Sequence, residues 1–289
     1  MSKNKQVKPF LKWVGGKTKL LSELEKNLPK KLINRKFNYV EPFLGGGAVF
    51  FHLVQKFNIE KAYLNDLNSK LIDVYEDVRD KNTELIQQLK KLESDYYKSN
   101  NKKSFFLNQR ERFNSSKKSP QKSALFIFLN KTGFNGMYRE NSKGEYNIPF
   151  GQMKTPVICN KDLLEKTGKL LKDKEVIFSS KNFEKVVADD KEVFYYLDPP
   201  YRPISKTSSF TNYTKSNFND KTQYLLKEYC DKIDKKGGLF MQSNSYSEDG
   251  FFQKLYYNRK INNLKVMRTI SADGNKRKKV KEIIVKNYE

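Results

Sequence analysis

The stretch that decides the fold is Tyr39-Val40-Glu41-Pro42-Phe43-Leu44-Gly45-Gly46-Gly47. Lys36 to Phe43 reads as a short strand, Leu44 to Gly47 as a turn, and Ala48 to Phe57 as an apolar helix. Ile59 to Asn65 then reads as a second strand that ends at Asp66. Strand, glycine turn, helix, strand and acid make the first half of a nucleotide-binding βαβ unit. Asp66 stands 19 residues after Gly47, close to the ~20 expected of a carboxylate that meets a ribose. A triple-glycine turn alone is more often structural, and Asp66 at this spacing reverses that preference. Gly45-x-Gly47 begins a dinucleotide fingerprint, yet Phe50 occupies the third glycine position, so a ligand without phosphates suits the turn better.

Outward from this unit, Leu67 to about Lys172 turns helical and irregular. Helical stretches run over Leu67 to Leu92, Ser104 to Phe113 and Ser123 to Asn130, with a Ser/Lys-rich linker at Asn114 to Lys122. Strand signals resume at Glu175 to Ser179, Val193 to Leu197 and Gly237 to Asn244. A hairpin follows, Leu264 to Ser271 with Val280 to Asn287 across a turn at Asp273-Gly274-Asn275. The expectation is an α/β sheet split by an inserted helical lobe. A chain of 289 residues suits one catalytic-size core with such a lobe.

The 57 Lys+Arg against 33 Asp+Glu give +24, enough to hold a polyanion by counterion release. Between Asn100 and Cys159 there are 11 basic and 3 acidic residues interleaved with Phe and Tyr, which reads as a nucleic-acid face rather than a solvated one. The longest apolar run, Ala124 to Leu129, is far short of the ~20 residues that cross a bilayer, and Met1 to Phe10 has no apolar signal core. Cys159 and Cys230 form no C-x-x-C pair, so neither a disulfide framework nor a zinc site is expected. A cytoplasmic protein without metal or membrane partner follows as the expectation.

Asp198-Pro199-Pro200-Tyr201 leaves the carboxyl end of the buried strand Val193 to Leu197, the edge where open α/β sheets bind ligands. Two prolines remove two N–H donors, leaving the Asp198 carboxylate and the Pro199 carbonyl as acceptors beside an aromatic ring, a set that suits a planar NH2 group. Gly15-Gly16-Lys17-Thr18 resembles the end of a phosphate-binding loop, but Leu11 stands where that loop needs a glycine, so an NTPase is not expected. Neither Cys159, after Ile158, nor Cys230, after Tyr229, follows a proline as the nucleophilic thiolate of cytosine C5 methylation usually does, so that chemistry is not expected. His52, the sole histidine, is expected to be structural.

Together these residues resemble the DNA adenine-N6 methyltransferases of the Dam type. Lys8-Pro9-Phe10-Leu11-Lys12-Trp13-Val14-Gly15-Gly16-Lys17, the Tyr39 to Gly47 stretch, Leu64-Asn65-Asp66-Leu67-Asn68, the block Asn130 to Gly151, and Asp198 to Tyr201 are similar to that family's motifs, in its order. The resemblance implies a seven-stranded, Rossmann-like S-adenosylmethionine-dependent methyltransferase sheet with an inserted helical target-recognition domain. Residues 1–70 and 173–289 would form the catalytic domain, and 71–172 the helical DNA-recognition domain. It also implies that Trp13, Gly15, Lys17, Glu41, Phe43, Gly45, Gly47, Asp66, Asn182, Phe183 and Asp198 bind the cofactor. Asp198, Pro199, Pro200 and Tyr201 would carry the chemistry. Asn182 departs from the family, which often has an acid there to meet the cofactor adenine; its carbonyl can still accept from an amine.

The recognition expectation rests on Asn130-Lys131-Thr132-Gly133-Phe134-Asn135-Gly136-Met137-Tyr138-Arg139. Glycines around Phe134-Asn135 let a tight loop present a ring that can wedge into a gap left by a flipped base. Arg139 is expected to read a guanine, and the resemblance adds Lys12, Asn135 and Tyr138 as DNA contacts. The leading reading is therefore transfer from S-adenosylmethionine to adenine N6 in double-stranded DNA, at GATC, by base flipping. A cognate restriction endonuclease acting on the same site is a compatible partner. The rivals are an RNA base methyltransferase, disfavoured by the Asn130 to Gly151 block, and a non-catalytic nucleic-acid-binding protein, disfavoured by the intact Asp198 to Tyr201. Ser205 to Asp220 reads as a lid, a phosphate-contacting loop or a solvated loop, and Lys276-Arg277-Lys278-Lys279 as an exposed charged turn.

Overall fold

Seven strands carry the chain's architecture: β1 (Phe37–Glu41), β2 (Ile59–Asn65), β3 (Glu175–Ser179), β4 (Val193–Leu197), β5 (Leu239–Ser245), β6 (Lys260–Met267) and β7 (Lys279–Lys286). The computed structural model describes residues 6–202, 218–267 and 279–289. The strands form one sheet in the order β3-β2-β1-β4-β5-β7-β6. All neighbours run parallel except β7, which is antiparallel to both β5 and β6. β4 is buried along its whole length, as a central parallel strand covered on both faces must be. Successive side chains feed opposite layers. Tyr39, Phe194, Tyr196, Met241 and Ile284 join one hydrophobic cluster, whereas Val40, Tyr195, Leu197, Phe240 and Ile283 join the other.

Nine helices are present among the described residues: α1 (Leu21–Lys26), α2 (Ala48–Val54), α3 (Ser69–Asp80), α4 (Asn82–Lys98), α5 (Lys102–Ser115), α6 (Pro120–Thr132), α7 (Lys161–Asp173), α8 (Asp220–Lys235) and α9 (Phe251–Leu255). Asparagine or serine caps the longer ones except α4, which follows Lys81 without a side-chain cap. Asn68, Asn101, Ser119, Asn160 and Asn219 each accept the backbone N–H three residues ahead, which supplies one of the helix's missing acceptors. The expected single helix Leu67 to Leu92 is two, because Lys81 leaves helical geometry at φ -126° and ψ 34°. The apolar run Ala124 to Leu129 is buried on every side of α6, which packs against α3, α4 and α5. It forms the axis of the helical layer. No helix among the described residues is long and apolar enough to cross a membrane. The helical region shares its core with the sheet: Tyr75, Phe106 and Phe128 belong to the same cluster as Tyr39 and Phe194.

The last hairpin departs from expectation. β6 begins at Lys260 rather than Leu264, and Ile261 and Asn262 pair with Val285 and Ile284. An edge strand with one side uncovered tolerates Asn262 and Asn263, so hydrophobic alternation did not mark its start. The turn at Asp273-Gly274-Asn275, Lys276 to Lys278, and positions 205–217 of the Ser205 to Asp220 segment lie outside the described residues.

Strand order fixes where a site can form. From β1 the chain steps outward through β2 to β3, then returns to place β4 on the other side of β1. The loops leaving β1 and β4 therefore diverge, and a crevice opens between them at the carboxyl ends. Asn65, 1% exposed at the end of β2, ties this edge together. Its Nδ2 donates to the carbonyls of Pro42 and Lys181, each at 3.0 Å. Its Oδ1 accepts from Ser179 Oγ at 2.8 Å and from Lys181 N–H at 2.9 Å. Asn65→Ala should lower unfolding free energy by ~2–4 kcal/mol, four bonds at about 0.5–1.5 each, less relaxation. Denaturant titration should show a lower midpoint with an unchanged slope.

Candidate active site

The loop after β1 turns back over the sheet edge, with Leu44 N–H bonded to the Asn65 carbonyl at 2.8 Å. Gly45 has φ +50°, and a Cβ there would lie 2.7 Å from Trp13 Cδ1. The indole thus rests on bare backbone, which only glycine leaves open. Asp66 fastens the same loop from the end of β2. Its Oδ2 accepts from Gly45 N–H and its Oδ1 from Asn68 N–H, both at 2.9 Å. Burial raises the Asp66 pKa, against those two bonds. Phe43 and Phe183 add an aromatic wall, their ring centroids 5.3 Å apart. Asn182 is exposed, and its side chain is engaged with Glu184: Oδ1 accepts Glu184 N–H at 3.4 Å and Nδ2 donates to Glu184 Oε2 at 3.1 Å.

Across the crevice, Asp198 leaves β4 and meets Lys17, whose Nζ is 2.7 Å from Asp198 Oδ2. Lys17 is 3% exposed and also donates to the Gly15 carbonyl at 2.9 Å. The Gly15 to Thr18 stretch therefore delivers an ammonium to a carboxylate. The same Nζ lies 4.8 Å from the centroid of the Tyr201 ring, a cation–π distance. Tyr201 OH donates to Glu282 Oε2 at 2.6 Å. Arg202 anchors the next step of the chain, pairing with Asp220 and Asp249, each at 2.6 Å. Glu41 is enclosed beneath this edge, accepting Tyr39 OH at 2.8 Å. Burial holds its carboxyl well above the usual range, and the nearby Asp198 charge acts in the same direction. Pro199 is buried and Pro200 exposed.

The recognition block hangs from buried Asn130. Its Oδ1 accepts Lys12 N–H at 2.9 Å, while Nδ2 donates to the carbonyls of Lys12 at 2.8 Å and Gly136 at 3.0 Å. Gly136 has φ +62°, and a Cβ there would lie 2.4 Å from Lys12 Cβ. Beyond this pin the loop projects: Phe134 is 48% exposed, and Asn135 is exposed with φ 53°. Arg139 is exposed too, its Nε donating to Asn147 Oδ1 at 2.8 Å. Lys12 and Tyr138 sit deeper. Tyr138 stacks on Phe126 at 5.2 Å and on Trp13 at 6.1 Å, so one aromatic column joins the glycine loop to the recognition block. Neighbouring Lys131 is pushed down to about 8, first by burial and then by Lys12 and Lys8.

Trp13, Gly15, Lys17, Glu41, Phe43, Gly45, Gly47, Asp66, Phe183, Asp198 and Tyr201 are thus gathered at one sheet edge. Phe134, Asn135 and Arg139 stand apart on an exposed loop. Sequence reasoning passed over Asn65, Asn130 and Glu282; the first two lie inside quoted motifs, and the third follows Lys281 with no sequence signal of its own. His52 is structural, its Nε2 2.7 Å from Glu25 Oε2. Burial pushes the Cys159 thiol up to about 11 and Cys230 higher still, opposite to what a nucleophilic thiolate requires. Among the described residues no group of three or more His, Cys, Asp or Glu side chains is placed to hold a metal ion.

A seven-stranded sheet with an acidic aromatic motif after β4 and a glycine loop after β1 is a methyltransferase arrangement. Residues 13–270 match the D12 class of N6 adenine-specific DNA methyltransferases, and the chain belongs to that family. It is 43% identical to the type II methyltransferase M.MjaIII of Methanocaldococcus jannaschii, over 98% of this chain and 100% of that protein. It is 35% identical to the type II methyltransferase M1.LlaDCHI of Lactococcus lactis, over 100% and 98%. With the DNA adenine methylase of Escherichia coli K12 it shares 33% identity over 97% and 95%.

Membership in this family implies S-adenosylmethionine as methyl donor, and the residues present fit it. The Asp66 carboxylate can accept from a diol, Phe43 and Phe183 can flank a purine, and Asp198 with the glycine backbone borders the remaining space. Gly45→Ala should push Trp13 off the loop. Trp13 is the chain's one tryptophan, so its emission should shift and methyl transfer should fall while the far-ultraviolet dichroism stays unchanged.

Proposed function

We propose that the protein methylates adenine N6 in double-stranded DNA at GATC, after turning the target base out of the helix. The observation that carries this reading is the grouping of Asp198, Lys17 and Tyr201 at the crevice between β1 and β4, the place a strand reversal opens for a ligand. S-adenosylmethionine, when bound, supplies an electrophilic methyl group. Trp13, Gly15, Lys17, Glu41, Phe43, Gly45, Gly47, Asp66, Asn182, Phe183 and Asp198 are its proposed surroundings, with Asp66 accepting from the ribose.

Adenine's amino nitrogen is a poor nucleophile because its lone pair is delocalised into the ring. Asp198 and the Pro199 carbonyl accept its two protons in hydrogen bonds, which localises the pair on nitrogen and aims it at the methyl. This is positional and electrostatic catalysis. Tyr201 stacks on the extruded base and offsets part of the cost of unstacking. Asp198 then has two claimants, since Lys17 holds it until substrate arrives. The expected experiment is incubation of duplex oligonucleotides with labelled cofactor, followed by nucleoside analysis. Asp198→Ala should lose transfer by about 10² or more, the scale of a removed transition-state contact, while duplex binding persists. Near-normal turnover in that variant would overturn the assignment.

For recognition, residues 71–172 are proposed to read DNA, with 1–70 and 173–289 forming the catalytic domain. The exposure of Phe134, Asn135 and Arg139 supports this, as does the basic surplus between Asn100 and Cys159. Phe134 is proposed to fill the gap left by the flipped base, with Asn135, Lys12 and Tyr138 beside it. Arg139 offers two donors to guanine O6 and N7. The type II names of two relatives support a cognate restriction endonuclease acting on the same site without direct contact. Arg139→Ala should reduce the rate on GATC by about 1–3 kcal/mol in activation free energy more than on a duplex with the guanine replaced. Equal losses on both duplexes would mean that Arg139 touches phosphate instead.

A further inference from the structure

Tyr201 is the one ring of the active-site motif, and stacking demands that its plane be set before a base arrives. Two contacts bear on it from opposite sides. Lys17 Nζ lies over the ring face, 4.8 Å from the centroid. At the far end the phenol donates to Glu282 Oε2 at 2.6 Å. Glu282 belongs to β7, where it faces Ser245 of β5 on one side and Leu264 of β6 on the other. It is 1% exposed. A carboxylate in the middle of a sheet carries a desolvation cost that an apolar residue would avoid, and β7 continues after it as an ordinary buried strand with Ile283, Ile284 and Val285. An apolar residue there could not accept the Tyr201 hydroxyl, which Glu282 does.

We propose that Glu282 is a positioning residue for methyl transfer, acting through the Tyr201 hydroxyl to hold the ring at the angle that receives the extruded adenine. This rests on the reading of Tyr201 as the residue that stacks on the base. Tyrosine has two side-chain torsions, and a bond at the tip removes the freedom of both. Glu282 is on a paired strand between two neighbours, so the anchor is more rigid than a loop residue would supply. With Lys17 bridging Asp198 and the ring, the tether extends from β7 to the acceptor of the amino group. A shift of the ring therefore displaces the base relative to Asp198.

Three variants separate positioning from plain stability. Glu282→Gln keeps an acceptor for the phenol, Glu282→Leu removes it, and Tyr201→Phe removes the donor while keeping the ring. Each is assayed for single-turnover transfer, cofactor affinity by calorimetry, duplex affinity, and fluorescence of 2-aminopurine at the target position. Glu282→Leu and Tyr201→Phe should each slow transfer by roughly ten- to a hundredfold, the scale of a misplaced reacting group. Both should dim the 2-aminopurine signal and leave cofactor and duplex affinity within about twofold, because Glu282 lies outside both binding faces and phenylalanine at 201 keeps the ring. Glu282→Gln should recover most of the rate, and Tyr201→Phe combined with Glu282→Leu should be no slower than either alone. Losses that multiply in the double variant, or equal rates for Glu282→Gln and Glu282→Leu, would overturn the proposal. Should Glu282→Leu fail to fold, Tyr201→Phe alone still decides, because a normal rate there removes any role for the tether. Adenine methylation by the wild-type chain tests the functional reading itself; the ratios among variants test Glu282.

Discussion

The ion pair between Lys17 and Asp198 binds the parts of this molecule that sequence keeps far apart. A lysine at 3% exposure is tolerable only when its charge is met, and Asp198 meets it at 2.7 Å. That bond ties the amino-terminal segment to the end of β4. The segment in turn lays Trp13 against the glycine loop of β1 and bonds Lys12 to Asn130 in α6. Three elements of the fold thereby converge on one buried ammonium. The site's acidity is local: Asp66, Asp198, Glu41 and Glu282 gather at one sheet edge in a chain of net charge +24. The basic surplus suits a polyanionic substrate, and the enclosed carboxylates suit the amine and the hydroxyls that would enter it.

Much of the sheet could be read from the sequence. β4, covered on both faces, is apolar throughout, and β2 and β3 have the expected bounds although Glu60 and Glu175 are exposed on them. The start of β6 was missed, because an edge strand is free to carry Asn262 and Asn263 with no apolar alternation to mark it. Helices α7 and α8 begin at asparagine caps that look, in a lysine- and asparagine-rich chain, like any other polar residue. Position within the site was legible wherever chemistry and backbone constraint coincide, as at Gly45, Asp66 and Asp198. It was not legible for Asn65, Asn130 and Glu282. Each works through three-dimensional neighbours distant in sequence, and no spacing rule announces a side chain that bonds to carbonyls or to a phenol 81 positions away.

The aromatic column of Trp13, Tyr138 and Phe126 gives the two halves a shared mechanical part. Trp13 touches the glycine loop on one side and stacks on Tyr138 on the other. Tyr138 is held at its hydroxyl by Glu140 at 2.6 Å, and Glu140 by Lys70 at 2.6 Å at the start of α3. The glycine loop and the Asn130 to Gly151 block are therefore joined by packed rings rather than by solvent. Any effect that a ligand in the crevice exerted on duplex binding through that column would, by thermodynamic reciprocity, be matched by an equal effect of the duplex on the ligand.

The pin at Asn130 has an evolutionary consequence. It grips main-chain groups of Lys12 and Gly136, so the loop's shape is set by atoms that every residue possesses. The outward side chains at 134 and 139 contribute little to that shape, and exchanges at exposed positions of this kind usually alter stability by no more than about 0.5 kcal/mol, whereas Asn135, at φ 53°, tolerates few replacements. Such an arrangement separates what must stay constant from what can drift. Were these side chains to read the target as proposed, new target sequences would become accessible by single substitutions on an unchanged scaffold, without rebuilding the transfer machinery.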